Sequence, residues 1–593
     1  MINRRNFFTI TLVMLILALL FQLTGASKLV LSNYEKNEYE DDDIVPEVTE
    51  KYLVSSDVTQ DYISFFGRDS DLISMIREYC YLQRKSLYIA SDSIEDIIPK
   101  KVHNKADLAC IQGSMLKETD LPFLQKMIDM GYRIVFLDMP DVSFVKANPA
   151  FQNMLGIIKV QQDQVSLNGV FLNNGFLLGG EQYYEILDEN ESGKYQQDLT
   201  LNIPWYVVGA GCTHFFDGIL DSKTNKKLQP GFSPAIIWNY HIGESVIYTV
   251  LGDYMKDITG VGIMSAFEAT SKKFVIYPVV NAESLVFENY PTFAYENSEK
   301  LRELYERDAM SVQRDLIWSG LASIVDKTNF LPSYTMAPYI RDESASIMDD
   351  EVLVSYMQLI REQHGEVGFA FGNHDLTYLD TVYLKERLPD YGLQIASLKN
   401  NPINDATSIK NASGLTELNT VIADKEQTPH IIGSLSGDLV YLSTVSNASD
   451  HKFSDDIRER SILTAMGYLV IKEDFSDVIY PESSEDEWQN KFDRFASNVE
   501  TYYKDADYFD KLTLSKAGIR ARNFLNCRYS VVNVSKKITL STNCKAGQTQ
   551  YYLFRAMGKK IYKITGATYK EVEEDVYLIR VNDQKVVIEI DDR

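Results

Sequence analysis

At 593 residues, 45% hydrophobic and 12% aromatic, the chain holds enough material for three or four domains of ~150 residues each, with sizeable cores. Its formal charge of −25 argues against nucleic acid and anionic lipid headgroups as partners and is compatible with a cationic one or with plain solubility. Five cysteines without a C-x-x-C spacing exclude a zinc knuckle.

The chain opens on Arg4 and Arg5, followed by an uncharged run over 6–27 with an unbroken apolar centre from Leu12 to Leu20. A helix of about 20 such residues spans the ~30 Å hydrocarbon layer of a bilayer. Arginines before the run and acids after it set the N-terminus inside and the body outside. The expectation is a single-pass transmembrane anchor over 1–28. The alternative is a signal peptide cleaved near Thr24-Gly25-Ala26, and both readings make the body extracytoplasmic. Residues 29–51 are rich in acids, carry no core pattern and read as a solvated stalk.

From 52 to 271 the pattern is strand–helix–strand. Strands are expected over 85–90, 106–111 and 133–137, with Thr119-Asp120 opening a helix that Gly131 stops. Residues 234–238 and 245–250 read as a hairpin. This stretch resembles the flavodoxin-like layout of class I glutamine amidotransferases, which place a cysteine on a Gly-x-Cys-x-Gly elbow. Cys110 lies instead inside a strand, as Ala-Cys-Ile, and reads as core. Gly209-Ala210-Gly211 lacks the third glycine of a dinucleotide loop, because His214 stands there. Asp138 and Asp141 follow a strand and serve either to bind a sugar or to cap the next turn.

From 272 to 515 the reading is a strand over 273–280 that ends in Asn281-Ala282-Glu283, a helix around 299–322, a strand over 330–336 and a helix over 349–363. A short buried strand over 366–371 then runs into Gly372-Asn373-His374-Asp375. Further strands fall over 393–398, 439–442 and 468–472, with a helix over 454–466. Alternation of this kind builds a (β/α) barrel, and a histidine just past the C-terminal end of a buried strand is where a barrel enzyme keeps its chemistry.

The segment 365–376 resembles the polysaccharide deacetylases of the NodB type, in which Gly-His-Glu-Ile-Gly runs into a His-x-x-x-His metal pair. Glu366 and Gly368 match that pattern, Val367 is a close substitute, His374 takes the second histidine and Ala370 stands in place of the first. The resemblance covers about 273–510 and implies a distorted (β/α) barrel that removes acetyl groups from an amino-sugar polymer. That reaction needs a metal to polarise the amide and a bound water, a base for the water and an acid for the leaving amine. Where the family has an Asp-Asp pair after its first strand, 281–283 supplies Asn281 and Glu283. Its arginine–proline segment becomes Lys399-Asn400-Asn401-Pro402, and Glu473-Asp474 stand where it carries a late histidine. The resemblance therefore nominates Glu283 and Asp375 as catalytic groups, and His374 and Asn281 as metal ligands. Tyr290, Tyr295, Trp318 and Tyr378 are the candidates for stacking on sugar rings. His103, His214, His241, His364, His430 and His451 show no ligand spacing and read as structural.

From 516 onward residues alternate every second position, which predicts a small antiparallel β-domain without helices. A turn at Ser535-Lys536 places Cys527 opposite Cys544, a pairing that closes a disulfide outside the cell, whereas a longer turn separates them. The order of anchor, stalk, amidotransferase-like domain, deacetylase-like barrel and β-domain is similar to membrane-anchored proteins of Pel-type exopolysaccharide systems in Gram-positive bacteria. The resemblance implies a catalytically degenerate protein of polymer synthesis or export that binds a cationic amino-sugar polysaccharide, or synthase and export subunits. No cofactor is expected in that reading. An active, divergent deacetylase would require zinc or another divalent metal, and a third reading is a surface scaffold that binds only proteins.

Overall fold

The computed structural model describes residues 62–99, 105–186, 198–199, 201–220, 233–292, 297–337, 350–371, 392–398, 403, 405–407, 410, 415–503, 508–534, 536–545 and 547–592. The apolar run over 6–27, the stalk, Tyr295, His374, Asp375 and Tyr378 lie outside the described residues. Among the described residues no helix is long and apolar enough to cross a membrane.

The first domain is built on strands Tyr62–Phe66, Ser86–Ala90, Leu108–Gln112, Arg133–Asp138 and Ser245–Val250. They lie parallel, in the spatial order second, first, third, fourth, fifth, which is the flavodoxin-like order. Their residues read as near-continuous apolar runs because helices cover both faces of such a sheet. Cys110 is fully buried there, as a core residue should be. Asp138 and Asp141 cap turns: Ser114 N donates to Asp138 Oδ1 at 3.3 Å and Ser143 N to Asp141 Oδ1 at 2.8 Å. The sheet then continues antiparallel through Ala235–Ile242, Cys212–Leu220 and Ile157–Leu172. The last of these is 16 residues long and mostly exposed along its first half, so no apolar alternation announces it.

The second domain has seven parallel strands among the described residues: β1 (Ala282–Thr292), β2 (Ser333–Ala337), β3 (Glu366–Phe371), β4 (Ile395–Leu398), β5 (Thr420–Ala423), β6 (Leu439–Ser443) and β7 (Tyr468–Asp474). Neighbours pair in chain order from β1 to β6, and β7 pairs with β1 on its other side. β6 runs on through Thr444 and Val445 into Ser446–Asn447, which pairs with β7, and Val445 N donates to Val470 O at 2.9 Å. The sheet thus curls back on itself, and its outer face is buried under helices: Phe287 packs on Phe495 and Tyr334 on Trp318, while Thr335 donates to Ser397 Oγ across the inner face.

The strand expected as the first of the barrel belongs elsewhere. Val275–Val279 pairs antiparallel with Gln550–Arg555, at the edge of a four-stranded sheet in the C-terminal domain. Pro278 fits that edge, where its missing N–H costs no ladder bond. Asn281, at φ 60°, turns the corner into β1, so the sequence reading ran one strand early. Helix α1 (Leu514–Leu525) also lies where no helix was expected. It closes the N-terminal end of the barrel: Leu514 N donates to Ser333 Oγ and Ser515 N to Glu366 Oε1, both at 2.8 Å. Beyond it stands a second four-stranded sheet, Tyr529–Val534, Lys537–Thr542, Lys585–Asp592 and Lys559–Thr565.

The first domain and the barrel are joined by two packed helices, Thr259–Ser271 and Phe453–Met466. Gly262 N donates to Ser461 Oγ at 2.8 Å. A methyl group on Gly262 would stand 2.0 Å from the Ser461 carbonyl oxygen, so only glycine allows this approach.

Candidate functional site

The C-terminal ends of the barrel strands carry a network of carboxylates and lysines. β1 places the apolar Leu285 and Phe287 in the core and carries Glu288 and Asn289 towards its C-terminal end, where its register with β2 shifts. β5 delivers Asp424 one residue beyond its end, and β7 ends in Lys472, Glu473 and Asp474. Side chains alternate along a strand, so Lys472 and Glu473 point to opposite sides. Lys472 reaches Glu288 Oε2 at 3.0 Å on the adjoining strand and Asp424 Oδ1 at 2.6 Å on a non-adjacent one. Glu473 accepts hydrogen bonds from Ser449 N at 2.7 Å and Ser449 Oγ at 2.8 Å. A second lysine, Lys491, touches Asp477 Oδ1 at 2.6 Å and Glu473 Oε1 at 3.3 Å. Asn289 Nδ2 donates to Asp474 Oδ1 at 3.0 Å.

Burial dominates the electrostatics. It opposes the Lys472 ammonium, but the Glu288 and Asp424 carboxylates outweigh it and hold the lysine pKa above its ordinary value. The same balance, with Glu473 and Asp477, raises Lys491. Burial raises the carboxyls of Glu288 and Glu473, against the opposing pull of Lys472 and Lys491.

Around this network lies a cleft of about 1240 Å³. One wall comes from the barrel ends and the other from the first domain, through Asp71, Ser74, Asp257 and Ile258. Among the described residues nine carboxylates line it (Asp71, Asp257, Asp424, Glu426, Asp450, Asp455, Glu473, Asp474 and Asp477) against four cations (Lys425, Arg458, Lys472 and Lys491), an excess of five negative charges among them.

A metal held by Glu288 and Asp424 would have to sit beside an ammonium already in ion-pair contact with both. Two like charges at that range in a buried site repel strongly. The described strand-end residues therefore do not fit a metal between these carboxylates.

Of the residues nominated from sequence, Asn281 and Glu283 lie at the opposite, N-terminal end of β1. Asn281 Nδ2 donates to Asp510 Oδ2 at 2.8 Å, and its Oδ1 accepts from Asp510 N at 3.1 Å. Glu283 Oε1 accepts from Phe509 N at 3.3 Å. Both are fully buried at the strand's N-terminal end, away from the cleft at its C-terminal end. Tyr290 is also buried completely, its hydroxyl donating to Gln313 O at 3.0 Å, so it has no face for a sugar. Trp318 is partly buried and packs beside Tyr334 and Tyr356 at ring separations of 6.1 and 6.3 Å. His374, Asp375, Tyr295 and Tyr378 lie outside the described residues.

The hairpin register expected for the cysteines is present: Val534 pairs with Lys537 and Tyr529 with Thr542. Cys527 and Cys544 are nevertheless free thiols. Cys527 Sγ lies 3.0 Å from the Tyr552 hydroxyl, and Cys544 Sγ lies 3.1 Å from Gln548 O. Each sulfur is thus engaged away from the other. The residues that sequence reasoning missed are Glu288, Asn289, Asp424, Lys472 and Lys491. The signal for the first two was present in 284–289, where a short apolar run, Leu-Val-Phe, leads into Glu-Asn.

Fold and site together define a multi-domain α/β chain whose curled parallel sheet opens into an acidic, lysine-bridged cleft. No known family profile and no curated protein sequence matches the chain. Among solved structures it is similar to the crystal structure of Agd3, a carbohydrate deacetylase, with a TM-score of 0.47 and 9% sequence identity over 89% of this chain and 98% of that one.

Proposed function

We propose that the chain is a deacetylase-like protein that has exchanged hydrolysis for binding, and that its cleft takes a cationic amino-sugar polymer outside the cell. The observation that supports this reading is Lys472: it neutralises Glu288 and Asp424, which a catalytic metal would need, while the surrounding cleft keeps five excess negative charges among its described residues. Protonated amines of a partly deacetylated polymer are the complement of such a cleft, and field lines between low-dielectric walls raise their local concentration. Membrane anchoring through 6–27, and a place among exopolysaccharide synthesis or export subunits, belong to the same proposal and rest on the sequence.

The test uses the full-length chain purified in detergent. It should release no acetate from N-acetylated glucosamine oligomers, with or without added zinc. It should bind partly deacetylated polymer at low salt and lose it as salt rises, because exposed charges are screened beyond ~8 Å at physiological ionic strength. Zinc-dependent acetate release would replace this reading with that of an active deacetylase. Equal, salt-insensitive binding of neutral and cationic polymers would remove it altogether.

A further inference from the structure

A second cluster, behind the cleft wall, carries chemistry that the proposed function does not use. His451 lies between the strand Ser446–Asn447 and the helix Phe453–Met466. Asp456 and Glu459 are three residues apart on that helix and so share a face. His451, Asp456 and Glu459 are all buried, and each offers one ligand atom within 4.8 Å of the other two.

The histidine is the informative member. Its side chain is completely enclosed, between the ring of Tyr502 at 4.1 Å and that of Tyr503 at 5.6 Å. Neither ring nitrogen makes a hydrogen bond. Nε2 stands 3.2 Å from Glu459 Oε1, but off the line a hydrogen bond requires. A buried ring whose Nδ1 has no hydrogen bond, and whose Nε2 meets only the Glu459 carboxylate, leaves room for an ion. The separation fits one: two ligands at ~2.0–2.1 Å from a tetrahedral zinc stand about 3.3 Å apart.

Both carboxylates are held in place by polar partners, and unlike the Lys472 ammonium, which bridges both strand-end carboxylates, Arg460 touches only one of them. Tyr503 donates its hydroxyl to Glu459 Oε1 at 2.7 Å, and Ser446 Oγ lies 3.1 Å from that hydroxyl. Asp456 Oδ2 accepts from Arg460 Nε at 2.9 Å and from the Tyr184 hydroxyl. Such outer partners orient ligands and tune their affinity. Tyr184 belongs to the first domain, so an ion here would tie the two domains together through Asp456.

We propose that His451, Asp456 and Glu459 form a structural binding site for one divalent transition-metal ion, zinc by its mix of one nitrogen and two oxygen donors. The site is separate from the barrel's strand ends and stands whether or not the binding reading of the cleft is correct.

The test is zinc titration and metal analysis of the full-length chain in detergent, with thermal unfolding as a second readout. The expected result is one zinc per chain and a melting temperature that falls on chelation. His451→Ala should weaken zinc binding by more than about 100-fold, since even outer-shell changes cost 10–100-fold. Glu459→Gln, which keeps the side chain's shape, should do the same without loss of fold. In both variants the chelator should no longer shift unfolding. No binding at excess zinc would overturn the proposal. So would binding that survives both variants, or binding that is lost in His374→Ala and retained in His451→Ala.

Discussion

Replacing Lys472 by methionine tests the lysine-bridged site most directly. The side chain is 8% exposed and that of Glu288 2%, so the pair is effectively out of water. At 3.0 Å and an effective dielectric of ~20, the attraction of this one pair is about 5 kcal/mol. Removing one member of a buried pair leaves the other charge uncompensated, and the measured cost of such changes is about 3–5 kcal/mol. Asp424 is 36% exposed and adds little to that figure, because water screens it. Urea denaturation at pH 7 should therefore show Lys472→Met destabilised by about 3–5 kcal/mol. The double variant with Glu288→Gln should recover most of the loss, since no buried charge is then stranded. The pH dependence has a definite sign. Burial already raises the Glu288 carboxyl above its ordinary 4.5, and losing Lys472 raises it further. A carboxyl with a raised folded pKa costs stability as pH climbs from the unfolded value through the folded one. The deficit should thus be full at neutral pH and shrink on acidification towards pH 4.5. A loss below about 1 kcal/mol, no recovery in the double variant, or a deficit that grows in acid would refute the reasoning.

Three further outcomes are expected. A thiol reagent on the native chain should modify Cys212, the half-buried cysteine, well before the four buried ones; after denaturation all five should react, whereas three would reveal a Cys527–Cys544 disulfide. Tyr290→Phe should cost about 0.5–1.5 kcal/mol for its lost hydrogen bond and leave polymer binding unchanged, as calorimetry of unfolding and a binding isotherm will show. Asn281→Ala should lower stability by roughly 1–3 kcal/mol, again without effect on the cleft; a selective loss of polymer binding would return Asn281 to the site.

Much of the barrel was legible because its strands are short apolar runs between clear breaks. Strand 366–371 and helix 350–362 stand where the periodicity put them. The first strand was misplaced for a physical reason: 275–279 and 282–292 are both apolar and adjacent, and only tertiary pairing distinguishes an edge strand containing Pro278 from a barrel strand. That slip drew Asn281 and Glu283, at the N-terminal end of the strand 282–292, into the expected site. Lys472 was invisible for a different reason, since nothing local shows that a lysine at a strand end will reach across to Asp424. Residues 157–172 were missed because strand pairing there is carried by main chain under a mostly polar, exposed surface.

The contact of Gly262 with Ser461 bears on how the cleft can work. Its walls belong to different domains, yet the helices behind them meet so closely that no side chain separates them. A hinge needs a slack connection, and this one is a weld. Asp257 and Asp424 face the cleft from its two sides, and the close helix contact lies behind them. A chain of uniform thickness can slide through a channel of constant calibre without prising it open, whereas a jaw must spend binding energy to close. A cleft whose walls are held in this way selects for what already fits it.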